Sequence, residues 1–423
     1  MLSRRSAMSA LLAILSAVLV CSPGVAVADV VRGSQRQVMR TLDLADAWRI
    51  TRGRGVLVAV LDSGVDPRHH DLAGSVITGR DFAAGANPPG VPPLRLHGTY
   101  MASLIAGHGH GPGHGDGVVG VAPEARVLSV RVILDDEEPG FEAFNSEARF
   151  EGILARGIRY AVDRGADVIN MSISKDALTR ADRAAIRYAV SKGVVLVAAA
   201  GNDGEGKRTA PYSYPASIPG VISVAAAGPG LRRASFSNRN SLVTVAAPGV
   251  NVAGAGPDDE YWIGKGTSQA TALVSGVAAL IKSRHPQMNG ALVAQALTSS
   301  ATARPAGGYD TGTGFGVVNA ARALRQAAVL GRHRRVATGA GVQEPRMALV
   351  PGDGLAAVPA AEPIRVVRRD TKAITVYGAV ALAGLLGAGT CLMMITMLAR
   401  RTRREAEQKP QHAAEPYSVH LPT

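Results

Sequence analysis

The 423-residue chain has only two cysteines, Cys21 and Cys391. Both sit in apolar stretches near the ends, so the long middle of the chain holds no disulfide. Its stability must come from a packed core. Aromatic residues make up 4% and charged residues 19%. So few charges exclude a largely disordered, self-repelling chain. Glycine is abundant, at 49 residues, but follows no period, which excludes a collagen-like chain, and no other internal repeat is visible. Acidic residues are in the minority, 33 against 46 Lys+Arg, for a formal charge of +13. Residues 1–28 and 325–423 carry +9 of this, leaving +4 on 29–324. That distribution argues against nucleic-acid binding, which needs cations clustered on the folded domain.

The ends read as targeting segments. Arg4 and Arg5 precede an apolar stretch over 7–20, and Ala26-Val27-Ala28 is a small-x-small cleavage pattern. Residues 1–28 are therefore expected to be a signal peptide, with a mature chain starting at Asp29. Val20 stands where a lipidation box at Cys21 wants a small residue. A second apolar run, 373–399, carries no charge and is long enough to cross a ~30 Å hydrocarbon core. Arg400, Arg401, Arg403 and Arg404 follow it. With the signal peptide setting orientation, the expectation is a single-pass protein of the cell membrane. Residues 29–372 then lie outside, and 400–423 form a basic cytoplasmic tail. Residues 328–372, rich in Arg, Ala, Pro and Gly, read as a tether.

The middle alternates. Short apolar runs at 56–61, 127–133, 167–173, 194–199 and 221–226 read as buried strands, and 150–164 and 178–192 as helices. The expected fold class is α/β, a three-layer domain with a mainly parallel central sheet. Ligands of such sheets bind beyond the carboxyl ends of the strands.

Three segments at element boundaries carry chemistry. Asp62-Ser63-Gly64 follows the 56–61 strand. His97-Gly98-Thr99 opens an apolar helical segment. Gly266-Thr267-Ser268 opens another helix over 269–284. A serine hydroxyl is a poor nucleophile until an imidazole takes its proton, and a buried carboxylate must orient that imidazole. Asp…His…Ser is one of the chain orders on which this geometry recurs. Each signal alone has a plainer reading, a turn or a helix cap. Together, on one sheet, they point to acyl transfer.

At these residues the chain resembles the subtilisin-like serine peptidases. The resemblance runs from about residue 45 to 327 through VAVLDSGVD (58–66), HGTYMASLIAG (97–107), VAAAGND (197–203), GTSQATALVSG (266–276) and GFGVVNAARAL (314–324), with five further segments in the same order. It implies Asp62, His97 and Ser268 as the catalytic triad, and an oxyanion hole formed by the Asn202 side chain and the Ser268 backbone N–H. It places the substrate groove at Ser172, Ile173 and Ser174, where the family has Leu-Gly-Gly after the serine. Here Ile173-Ser174-Lys175 are expected to narrow the groove. Ala272 stands where the family often has Pro. The signal, anchor and basic tail match the layout of the mycosin-like branch, associated with type VII secretion. The 29–44 extension is too short for a full inhibitory pro-domain, so 29–55 is expected to pack on the 45–327 peptidase domain with Trp48 as anchor.

The remaining clusters have modest readings. His108, His110 and His114 fall in a glycine-rich stretch, read as a flexible inserted loop in preference to a metal site. Asp135-Asp136-Glu137-Glu138 reads as a solvated loop, with attraction of basic substrate residues second. No cofactor is required, and no pattern assigns a calcium ion although many relatives bind one. The expected function is a membrane-anchored extracytoplasmic serine endopeptidase acting on a protein or peptide, with type VII secretion components as partners. The alternatives are a non-catalytic structural subunit of a membrane complex and a general envelope protease.

Overall fold

The structure, a computed structural model, describes residues 23–206 and 210–334. Chain order starts with helices α1 (Pro23–Leu42) and α2 (Leu44–Ile50), then β1 (Leu57–Asp62), β2 (Val76–Asp81) and α3 (Leu96–Ala106). Next come β3 (His108–His110), β4 (Asp116–Val119), β5 (Arg126–Arg131), α4 (Phe141–Ser146), α5 (Ile153–Asp163), β6 (Val168–Met171) and α6 (Arg180–Ser191). The rest are β7 (Val195–Ala199), β8 (Val221–Ala227), β9 (Val245–Pro248), β10 (Val252–Ala255), β11 (Tyr261–Gly264), α7 (Thr267–Arg284), α8 (Gly290–Ser300) and α9 (Ala320–Arg334).

Seven strands form one parallel sheet in the order β2-β5-β1-β6-β7-β8-β9. Strand residues point to alternate faces, so the sheet divides two cores. Val58 and Val60 of β1 and Val195 and Val197 of β7 face the side that holds α3, α7 and α8. Ala59, Leu61, Leu196 and Ala198 face α5 and α6. Truncating Leu61, fully buried, to Ala would cost about 2–5 kcal/mol.

Helix α7 lies inside the protein, buried on nearly every side from Thr267 to Lys282. Its small residues permit this. A Cβ on Gly276 would stand 2.5 Å from the Val121 Cβ.

The N-terminal segment is part of the fold. In α1, Val31, Gln35, Val38 and Leu42 are buried, a helical spacing that gives one inward stripe. Gln35 exchanges hydrogen bonds with the Val119 backbone, donating to its O at 3.1 Å and accepting from its N at 3.0 Å. Trp48 donates through Nε1 to Val121 O at 2.8 Å, and Arg52 stacks over its ring.

Two expectations shift. The 107–117 stretch is a two-stranded antiparallel ribbon, β3 with β4, in place of a flexible loop. Its His110 Nδ1 bonds the buried Asp71 carboxylate at 2.6 Å, which pins it to the body. The domain also continues past residue 327. Ala327 is fully buried and Leu330 packs on the core, because α9 keeps its apolar face turned inward. Among the described residues no helix is long and apolar enough to cross a membrane. The apolar runs at 7–20 and 373–399 lie outside the described residues, as do most of the 328–372 tether and the basic tail.

Candidate active site

β1 sits between β5 and β6, where the chain's progress through the sheet reverses. A crevice opens at the carboxyl ends of strands on either side of such a point. Asp62, the last residue of β1, projects there and is fully buried. Ser63 and Gly64 turn the chain away, with Gly64 at φ +99°. The start of α3 packs on that turn so closely that Gly98 has no room for a side chain. The Gly98 N–H donates to Ser63 Oγ at 3.1 Å. Asp-Ser-Gly and His-Gly-Thr are thus two halves of one joint.

That joint brings His97 to Asp62. His97 Nδ1 lies 2.8 Å from Asp62 Oδ1, which also accepts the Ser63 N–H at 2.8 Å. The His97 side chain is 19% exposed. Burial pulls its pKa down, but the Asp62 carboxylate, with Asp135 and Asp136 beyond it, outweighs burial and leaves it raised. An imidazole tethered at Nδ1 keeps Nε2 for a second partner.

Ser268 stands in the first turn of α7, where backbone N–H groups have no carbonyl four residues back. Its hydroxyl donates to Ser172 O at 3.1 Å rather than to the imidazole. Ser172 Oγ returns a bond to Ser268 O at 3.0 Å. Behind them Asn170, fully buried, donates to Ser172 Oγ and accepts from Ser275 Oγ of α7. The end of β6 is thereby latched to α7. Asn202 Oδ1 accepts both the Thr267 N–H and the Thr267 hydroxyl at 2.9 Å. Its amide nitrogen is left for the cavity.

His97, Ser268, Asn202 and Ser172 line one cavity of about 680 Å³. Phe141, Phe144, Phe150, Ile153 and Leu154 give it an apolar wall. Ile173, Ser174 and Lys175 line the same cavity, and Ile173 also packs into the core on the α5 and α6 side. Ser174 bonds Ser213, and Lys175 exchanges backbone hydrogen bonds with Tyr214.

The acidic run is not a uniformly solvated loop. Asp135 and Glu138 are buried, while Asp136 and Glu137 line the cavity. Asp135 Oδ2 accepts the Leu96 N–H at 2.8 Å and Oδ1 the His97 N–H at 3.0 Å. Burial pushes its carboxyl up to about 6, against the pull of the donors from His97, Leu96 and Ser63. Glu138 pairs with Arg131 at 2.7 Å.

The structure therefore gathers His97, Ser268, Asn202, Ser172, Ile173 and Ser174 around one cavity, with Asp62 bonded to His97 behind it. Sequence reasoning named Asp135, Ser63 and Thr267 only as members of their segments, without these hydrogen-bonding roles, and missed Asn170. The role of Asp135 becomes visible only in the strand register. β5 pairs in register with β1, Asp62 opposite Arg131, so residues just past β5 must pass over the same crevice. Among the described residues no group of three His, Cys, Asp or Glu side chains converges as metal ligands. His108 bonds Ala73 O and Gly109 O, His114 also reaches Gly109 O, and His110 bonds Asp71.

The comparisons agree with this architecture. Subtilisin E of Bacillus subtilis is 38% identical over 250 residues, 59% of this chain and 61% of that protein. The match thus spans about three fifths of that relative's length. Thermitase of Thermoactinomyces vulgaris is 39% identical over 238 residues, 56% of this chain and 78% of the relative. Among solved structures, MycP1 with its N-terminal propeptide removed superposes with a TM-score of 0.57 at 32% identity, covering 68% of this chain and 96% of that one. MycP1 from Mycobacterium smegmatis gives 0.57 at 29% identity over 76% of this chain and 88% of that one. The subtilase family profile matches residues 53–316, from just before β1 to just before α9. That match covers more than half of the chain, and the chain belongs to the subtilase family.

Proposed function

We propose that this protein is a serine endopeptidase that cleaves protein or peptide substrates by an acyl-enzyme mechanism. The observation that carries the reading is the bond between buried Asp62 and His97 Nδ1 in a cavity shared with Ser268 and Asn202. Ser268 Oγ turns from Ser172 O to His97 Nε2 and gives up its proton as it attacks the scissile carbonyl carbon. Asp62 holds the ring tautomer and balances the imidazolium that forms. The tetrahedral oxyanion accepts hydrogen bonds from the Ser268 N–H and the Asn202 amide. Nε2 then returns the proton to the leaving amine nitrogen as the C–N bond breaks. Water, activated by the same imidazole, releases the acyl group.

The protein acts outside the cytoplasmic membrane, exported by residues 1–28 and held by the 373–399 span, with 400–423 in the cytoplasm. It works beside a type VII secretion apparatus. Support for the context comes from relatives, since MycP1 is described as a serine protease and an essential component of the type VII (ESX-1) secretion system. No metal or cofactor takes part in the steps above.

The test is labelling of membranes carrying the full chain with a serine-directed fluorophosphonate, beside Ser268→Ala. Labelling of the native chain alone upholds the reading. Absence of labelling in folded protein overturns it and leaves a structural subunit.

A further inference from the structure

Helix α3 begins without a cap of its own. Arg95, the residue before it, stands at φ 58° and offers no side-chain acceptor. A helix start leaves its first N–H groups unpaired, and two of them here belong to Leu96 and His97. Asp135 meets both, one with each oxygen, across 38 residues of sequence. It is 5% exposed.

Asp135 is itself held. Its N–H donates to Glu138 Oε1 at 3.2 Å. Glu138 Oε2 accepts from Arg131 Nη2, and Arg131 Nη1 donates to Asp81 Oδ2 at 3.1 Å. The loop leaves β5 beside Asp62, whose carbonyl accepts the Val132 N–H at 2.9 Å. These bonds close a ring. The Asp62 backbone carries the loop, the loop carries Asp135, Asp135 caps the helix bearing His97, and His97 bonds the Asp62 side chain.

We propose that Asp135 is a positioning residue for His97, fixing the backbone that aims the imidazole at Asp62 and Ser268 and adding negative charge beside it. The proposal deepens the serine-peptidase reading and rests on His97 acting as its base. Asp135 touches the His97 backbone and not the ring, so it acts through His97.

The charged groups around Asp135 are Asp62 from β1, His97 and Arg95 at the start of α3, Arg131 at the end of β5, and Asp136, Glu137 and Glu138 from its own loop. Arg95 and Arg131 flank the Gly64 turn. The net field beside His97 is negative, and both Asp135 and Asp136 raise its pKa. Burial brings the Asp135 carboxyl to about 6. Below that pH one oxygen gains a proton, both cap bonds weaken and the charge is lost. The acid limb of activity then reflects two protons, one on His97 and one on Asp135.

The experiment uses the full chain in membranes and reads the rate of fluorophosphonate labelling from pH 5 to 9 for the native protein, Asp135→Asn and Asp135→Ser. Asn opposes one of the two N–H donors with its own amide. Ser can cap but carries no charge. The expected result is a plateau rate about tenfold lower in Asp135→Asn, the scale of a lost helix cap. The native acid limb should be steeper than a one-proton curve, and both variants should fall to one proton with the midpoint moved to lower pH. An unchanged slope and midpoint in both variants overturns the proposal. If Asp135→Asn fails to fold, the Asp135→Ser profile decides alone. The His97 ring titration, followed by NMR on purified protein in the Ser268→Ala background, separates the two readings. A native chain that never labels defeats the peptidase reading. A His97 titration unmoved by Asp135→Ser defeats the positioning role, whether or not the chain labels.

Discussion

A Cβ on Gly98 would stand 2.0 Å from the carbonyl oxygen of Gly64. The backbone of the Asp62 turn and the backbone of the helix carrying His97 touch with nothing between them. Asp62 and His97 meet because two glycines let their chains approach this closely.

Gly98→Ala must push α3 off the turn. The obstructing atom is backbone, so no side chain can swing aside. Overpacking of this kind costs about 1–3 kcal/mol, and separating Asp62 from His97 removes the orientation on which proton transfer depends. The expected outcome is a melting temperature lowered by several degrees and fluorophosphonate labelling reduced by about two orders of magnitude or more. A melt paired with a labelling time course checks both.

Asn202→Ala keeps the fold but deletes a donor to the oxyanion. The expected effect is a fall of about 10²–10³ in kcat with KM little changed. A steady-state comparison on a cleavable peptide reads it, and an increase confined to KM would assign Asn202 to substrate binding.

The His97–Asp62 pair makes activity and stability move in opposite directions with pH. Folding raises the His97 pKa, because the Asp62 charge overcomes burial. A group with a raised folded pKa stabilises fully below its unfolded value, and that contribution fades as pH rises through the folded value. Over the same interval Nε2 loses its proton and becomes a base. Labelling should therefore rise with pH from the alkaline side of the usual histidine range while this part of the stability declines. In Asp62→Asn burial acts without the counter-charge. The His97 titration, followed by NMR, should move to lower pH, and labelling should drop by about 10⁴.

Gln35→Ala leaves the Val119 N–H and C=O without their partner in a buried interface. An unsatisfied buried polar group costs about 1–3 kcal/mol. Chemical denaturation should show that loss, and limited proteolysis should cut within α1 sooner than in the native chain.

Most of the layered architecture is legible in the sequence, because five strands are buried on both faces and so read as continuous apolar runs. β2 is not, since Val76–Asp81 is an edge strand with a mixed, half-exposed pattern. α1 is hidden for a related reason. Its inward stripe includes Gln35, which is buried through paired bonds to one backbone residue and not through hydrophobicity. Asp62 and His97 are legible because each sits near a glycine that their close approach needs, and Ser268 because it opens a long apolar helix. Asp135 is not, since its role depends on a contact between segments that only the parallel register of β1 and β5 brings together. The histidine ribbon reads as loop because glycines at 107, 109, 111, 113, 115 and 117 mask a short β-pair fixed by the Asp71 carboxylate.

The anchoring of Asn202 has a consequence for how this protein can fail. Thr267 offers two donors to Oδ1, and an Asp at 202 would receive both at least as well as the native amide does. Asn202→Asp should therefore fold and melt like the parent. The other end of the group would now meet the oxyanion with a like charge in place of a hydrogen. Quality control that discards unfolded chains would let such a protein through. Damage of this kind, spontaneous deamidation of Asn202 included, would accumulate as intact but inert molecules that are invisible to any assay of abundance.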